Sequence, residues 1–208
     1  LHLDSGDCFQ GAPIYNFAQG EAELRFMSLV RPDAVVIGNH EFDSGVRNYV
    51  EQLRRWKNFS NLAANYVFPD PKDPNNHQLG NFSEAYSIHN LDGIRVGVIG
   101  MANLSSLNSI GEGGNSLQLL PLEQNTVLQH YVTFLRPHVD ILTIVSHLGL
   151  EEDRDLITGY EHTVRRNRLE PDWEIVEDFG NGNVRVFIPG VSGVDIIFGG
   201  HLHTVLNP

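Results

Sequence analysis

The chain has 208 residues, 26 of them acidic against 14 basic, for a formal charge of −12. That length suits one compact domain, and the acidic balance excludes a nucleic-acid duplex as the main partner, because binding a phosphate backbone rests on Lys and Arg. Cys8 is the sole cysteine, which excludes an internal disulfide and a thiolate zinc cluster and leaves the 10 histidines, with Asp and Asn, as available metal ligands.

The first residues, Leu1-His2-Leu3-Asp4, are neither a basic leader nor an initiator methionine, so the chain is expected to begin inside a longer protein. No apolar run reaches the length of a membrane span, and localisation and oligomeric state stay open. Short apolar runs over 1–4 and 34–38 read as strands, with an amphipathic helix over 21–30 between them. A second helix is predicted over 46–56, then a strand over 61–66 and a surface loop rich in Pro, Asp and Asn over 68–81. Strands over 85–91 and 94–100 flank Asp92-Gly93, a pair suited to the type I′ turn of a hairpin, so the sheets are expected to be mixed. The Gly/Asn/Ser stretch over 103–116 reads as a loop, and Pro121 is placed to begin a helix over 122–135. That helix carries Val127, Leu128, Tyr131, Val132 and Leu135 on one face. Strands over 140–146 and 194–199 follow, and a second hairpin, 173–179 with 184–188, is inserted between them. Strands alternating with helices argue for an α/β fold.

Four polar motifs stand at or just beyond the C-terminal ends of these strands, where open α/β sheets present ligand-binding groups. They are Asp4-Ser5-Gly6-Asp7, Gly38-Asn39-His40-Glu41-Phe42-Asp43, Ser146-His147-Leu148-Gly149 and Gly199-Gly200-His201-Leu202-His203. Each has a plain reading on its own: Asp7 as a cap, Asn39 as a turn residue, His147 as a hydrogen-bonded core histidine, His201 and His203 as an alternating strand pair. The plain readings do not explain why four apolar strands each end in a ligand-type side chain. Together the motifs supply the inventory for two divalent ions about 3.5–4 Å apart, with Asp7 as the candidate bridge. His201 and His203 point the same way on an extended strand; if the strand has already ended, the turn after Gly200 must aim them.

In order, G-D-x-x-x-G over 6–11, G-N-H-E over 38–41, S-H-L-G over 146–149 and G-G-H-x-H over 199–203 resemble the signature of the calcineurin-like metallophosphoesterases. The longer forms D-S-G-D-C-F-Q-G and G-N-H-E-F-D-x-G resemble the 5′-nucleotidase branch of that superfamily. The resemblance implies a four-layer α/β/β/α sandwich with mixed sheets and one catalytic domain over 1–208. It also implies hydrolysis of phosphate monoesters, 5′-nucleotides first, by in-line attack of a metal-bound hydroxide. Two divalent ions, Zn, Mn, Fe or similar, would be the cofactors. Asp7 would bridge them, Asn39, His147 and His201 would complete one shell, and His203 would serve the other ion. Asn39 and His40 would meet the substrate phosphate, with His40 and Asp43 as the catalytic pair in which Asp43 orients the imidazole. Asp43 could instead cap the helix that follows it, and Glu41 could support a ligand or face solvent. Cys8, with no basic neighbour, is not expected to be a nucleophile.

The sequence departs from that pattern in places. The opening D-x-H motif is not in it, so two ligands of the second ion are missing, and without that strand the chain is expected to be a weak or inactive phosphatase. A surplus over 170–188 carries the inserted hairpin, and the C-terminal substrate domain that the resemblance implies, with aromatic residues that stack the base, lies outside these 208 residues. Competing functions are a phosphodiesterase or 2′,3′-cyclic-nucleotide hydrolase on the same centre, and a non-catalytic metal-binding module. A purely structural site has no use for an imidazole such as His40 beside, yet outside, the ligand set.

Overall fold

The computed structural model describes residues 1–11, 13–70, 72–104 and 118–204. Its elements run β1 Leu3–Asp4, α1 Pro13–Ala18, α2 Glu21–Val30, β2 Ala34–Val36, α3 Val46–Trp56, β3 Ser60–Leu62 and β4 Tyr66–Val67. They continue β5 Tyr86–Leu91, β6 Ile94–Met101, β7 Leu120–Pro121, α4 Gln124–Leu135, β8 Ile141–Ser146 and α5 Leu150–Thr158. The last are β9 Tyr160–Arg165, β10 Glu174–Asp178, β11 Asn183–Ile188 and β12 Ile196–Phe198.

Two sheets lie face to face. One is parallel, in the order β1-β2-β3, and the other runs β12-β8-β6-β5, parallel except for the antiparallel pair β5/β6. Only the second sheet is therefore mixed. Asp92 and Gly93 join β5 to β6 with φ of 51° and 96°, the two positive values a type I′ turn requires. Helices α2 and α3 cover the first sheet: Val46, Tyr49, Val50 and Leu53 repeat at helical spacing and are all buried with Val35 and Val36 in one core. On the other side Leu128, Val132 and Leu135 of α4 and Leu156 of α5 bury against Ile99, Leu142 and Ile144. The layers are thus α/β/β/α.

Several expected elements shift. The strand expected over 61–66 is two strands, β3 and β4, and β4 pairs with β7 in a small sheet of its own. Pro121 belongs to β7 and does not open α4; the Glu123 side chain caps that helix by accepting from the backbone N–H groups of Asn125 and Thr126. The loop expected over 68–81 is not wholly at the surface, since Asn76, His77 and Leu79 are buried. The loop expected over 103–116 falls outside the described residues from 105 onward, and Asn103 before it is buried. The inserted hairpin, β10 and β11, is extended by β9 into a third antiparallel sheet with its own core of Val184, Val186 and Ile188.

Candidate metal centre

Because β1 and β2 pair in parallel, the loops that follow them leave the same edge of the sheet side by side. The first carries Asp7 in a left-handed conformation, φ 64°, which is uncommon for a residue with a Cβ. The second carries Asn39 and then tightens into a 3-10 turn over His40–Phe42. The two loops touch so closely that a Cβ at Gly38 would lie 2.3 Å from Asp7 Oδ1. From the facing sheet, β8 ends at Ser146 and delivers His147, buried to 2% exposure. Strand β12 stops at Phe198, and the chain turns through Gly199 and Gly200 to His201. A Cβ at Gly200 would sit 2.9 Å from Ser5 Oγ, so glycine lets this turn reach the β1 loop.

The ligand atoms of Asp7, His147 and His201 all lie within 4.8 Å of one another. His147 Nε2 is 2.9 Å from Asp7 Oδ2 and 3.2 Å from Asn39 Oδ1, while its Nδ1 donates to the Ser5 carbonyl. A carbonyl only accepts, so Nδ1 carries the proton and Nε2 presents a lone pair whenever the ring is neutral. Two oxygens face that lone pair, and three such atoms around one point need a cation among them, either a second proton on the ring or a metal ion. The donor set therefore fits a divalent ion.

Burial pushes the Asp7 carboxyl up, but the bonds from His147 and from the His40 backbone outweigh it and hold it below the ordinary range. For His147 burial pulls downward, and Asp7 with the Ser5 carbonyl reverses this. His201 is lowered, first by burial and then by the neighbouring His147, which favours the neutral imidazole a metal needs. His203 is exposed and is not in the close group, although it lines the same cavity, of about 670 Å³, as Asp7, His147 and His201. Both His201 and His203 have positive φ, 78° and 50°, so the turn after Gly200 aims them and a strand does not.

His40 and Asp43 stand beside this group. The His40 backbone N–H donates to Asp7 Oδ1 at 2.9 Å, and its ring Nδ1 lies 2.7 Å from Asp43 Oδ2. Helix α3 begins after Gly45 with no side-chain cap, so Asp43 serves the imidazole and does not cap the helix. With Nδ1 engaged, Nε2 is the ring nitrogen left for a substrate. Burial, with the Glu41 carboxylate next, pushes the Cys8 thiol well up and disfavours the thiolate that a nucleophile needs.

Two supporting groups have no visible signal in the sequence, and a third, Glu41, is left there between supporting a ligand and facing solvent. The Ser5 carbonyl fixes the His147 tautomer, and the Ser146 hydroxyl meets the part-buried Asp153 carboxylate of α5 at the base of the His147 loop. Glu41 does not face solvent: at 1% exposure its carboxylate accepts from the backbone of both ligand loops.

Comparison with known proteins agrees with this geometry. A 5′-nucleotidase of Rattus norvegicus is 29% identical over 206 residues, 99% of this chain and 30% of that protein. A snake venom 5′-nucleotidase of Crotalus adamanteus is 27% identical over the same share of this chain and 29% of its own length. The chain thus spans about a third or less of these curated relatives. The crystal structure of a 5′-nucleotidase precursor from Thermus thermophilus superposes with a TM-score of 0.71 at 28% identity, covering 99% of this chain and 33% of that one. The model of the calcineurin-like phosphoesterases matches residues 2–205. That match over nearly the whole length places the chain, whose candidate ligands Asp7, His147 and His201 gather at the ends of two facing sheets, in the calcineurin-like phosphoesterase family.

Proposed function

We propose that the protein hydrolyses phosphate monoesters, with 5′-nucleotides as the preferred class, and that residues 1–208 form one catalytic unit. The observation that carries this reading is a histidine, His40, held by Asp43 and fixed through its backbone to Asp7. Asp7, Asn39, His147 and His201 would hold one divalent ion, and Asp7 with His203 would hold a second. Such ions supply Lewis-acid stabilisation of phosphoryl charge and a nucleophile at neutral pH. The chain's own residues do the rest. His147, its tautomer set by Ser5, keeps Nε2 turned to the centre. Asn39 and His40 orient the phosphate, and His40, with Nδ1 tied to Asp43, meets charge developing on the phosphoryl or leaving oxygen. The 5′-nucleotidase names of the relatives support the nucleotide class.

The test, on a longer form that carries the upstream D-x-H strand, is turnover of 5′-AMP, 2′,3′-cyclic AMP and bis(p-nitrophenyl) phosphate with added Mn²⁺, together with bound metal after dialysis. Fastest hydrolysis of 5′-AMP, and metal lost in Asp7→Ala, are expected. Preference for either diester would replace the monoesterase reading with a phosphodiesterase. Metal binding with no turnover of any substrate would leave only a binding module.

A further inference from the structure

Glu41 stands behind the two loops that carry Asp7 and Asn39 without being a candidate ligand. Its Oε2 accepts from the backbone N–H groups of Asp7 at 3.0 Å and Gly38 at 2.7 Å, and its Oε1 accepts from Cys8 at 2.7 Å. The side chain is enclosed, at 1% exposure. These three donors belong to two loops far apart in sequence, and the arrangement is reciprocal: Asp7 Oδ1 accepts from the N–H of His40, the residue before Glu41. Asp7 needs such a hold. Its left-handed backbone, φ 64°, is disfavoured by its own Cβ and persists only where the surroundings over-determine it. Consecutive positive φ at Gly6 and Asp7 turn the amides of Asp7 and Cys8 toward one side, where the Glu41 carboxylate receives both.

We propose that Glu41 is a positioning residue, a buried carboxylate clamp that holds the Asp7 loop against the Gly38 loop and so sets the aim of the Asp7 carboxylate at the metal centre. The inference rests on the phosphoesterase reading for its consequence, but the clamp itself is a property of the metal-free protein. One short turn then does two jobs: Glu41 points inward to fix the ligand, and His40 beside it is left to face the substrate. Glutamine in place of Glu41 keeps the shape and one acceptor oxygen but sets an NH₂ donor against backbone donors, so at least one of the three bonds is lost.

The experiment uses the intact protein and compares wild type, Glu41→Gln and a core control, Leu128→Ala, which lies in the other sheet's core. Amide hydrogen exchange of Asp7, Cys8 and Gly38 is followed without metal, and the visible spectrum and affinity are followed with Co²⁺. In wild type the three amides are expected to be protected; exchange at free-peptide rates there would overturn the clamp even if the variant failed to fold. Glu41→Gln should lose at least about tenfold protection at one or more of them, shift the Co²⁺ spectrum and weaken Co²⁺ binding by about ten- to a hundredfold. Leu128→Ala, though less stable, should keep the wild-type spectrum and the three protected amides. Unchanged protection and an unchanged spectrum in Glu41→Gln would refute the proposal. A wild type that binds no Co²⁺ would refute the metal reading instead, and the metal-free exchange would still decide the role of Glu41.

Discussion

His40 is held from two sides, its backbone by Asp7 and its ring by Asp43. Removing the ring therefore leaves the backbone bond to the ligand in place. In a longer form that carries the upstream D-x-H strand, His40→Ala should lower kcat by about 10²–10⁴-fold, the usual share of a positioned acid or base, with bound metal unchanged. Asp43→Asn should act in the same direction and more weakly, by about ten- to a hundredfold, since the imidazole remains with a poorer orienting partner. Steady-state kinetics beside metal analysis checks both; equal loss of metal and rate would make His40 a ligand. At this scale the ligand types were legible because each stands at the end of an apolar run. For Glu41 the choice between supporting a ligand and facing solvent stayed open, because its partners are backbone amides 33 and 34 residues earlier, and no side-chain pattern announces those.

Strand β12 carries His201 to the centre, and the residue before the strand, Asp195, secures its start. Asp195 Oδ2 accepts from the Leu142 backbone at 2.7 Å and pairs with Arg136 at 2.5 Å. The Leu142 bond, then Arg136, holds the Asp195 carboxyl below its ordinary range. A carboxyl depressed in the folded state adds stability that is full above its unfolded value, about 3.9, and lost as pH falls through the folded value. Asp195→Asn should thus be less stable than wild type at pH 7, and the gap should narrow as the solution is acidified through and below the ordinary carboxylate range. Thermal melts across that range check it; a gap independent of pH would mean that the charge contributes nothing. Among the elements, α2 and α3 were legible to the residue because their buried positions repeat at helical spacing. The start of α4 was not, since a side-chain cap from Glu123 decided it. Helix α5 was missed because only Leu156 in it is buried and acidic residues fill its first turn. Strand β9 was missed for a similar reason, as exposed residues dominate it.

In the whole molecule, the sandwich and the inserted sheet are unequal partners. The sandwich has two large cores, whereas β9, β10 and β11 bury only Val184, Val186 and Ile188 with a few part-buried neighbours. The inserted sheet is tied to the body at the start of α4, by Trp173 Nε1 to Thr126 Oγ1 at 3.1 Å and Tyr160 to Glu123 at 2.8 Å. Small cores with few ties open at low free energy. Native-state hydrogen exchange should show the amides of β11 opening well before those of β6 and β8, and equal opening energies would mean that all three sheets unfold together. The layered arrangement was legible through the resemblance, while the third sheet was half seen, as a hairpin lacking the strand that pairs with its far edge.

The proposed ligands come from both halves of the sandwich, Asp7 and Asn39 from loops of one sheet, His147 and His201 from loops of the other. An ion seated among them would therefore be a cross-link, able to form only while the halves stay together. Folding and metal occupancy become one linked equilibrium, in which free ion at a hundred times its Kd adds about 2.7 kcal/mol to the free energy of unfolding. Tm should rise steadily with Mn²⁺ and fall back with chelator, and in His147→Ala most of that rise should vanish. A wild-type Tm indifferent to metal would mean that the two sheets are held by their apolar faces alone.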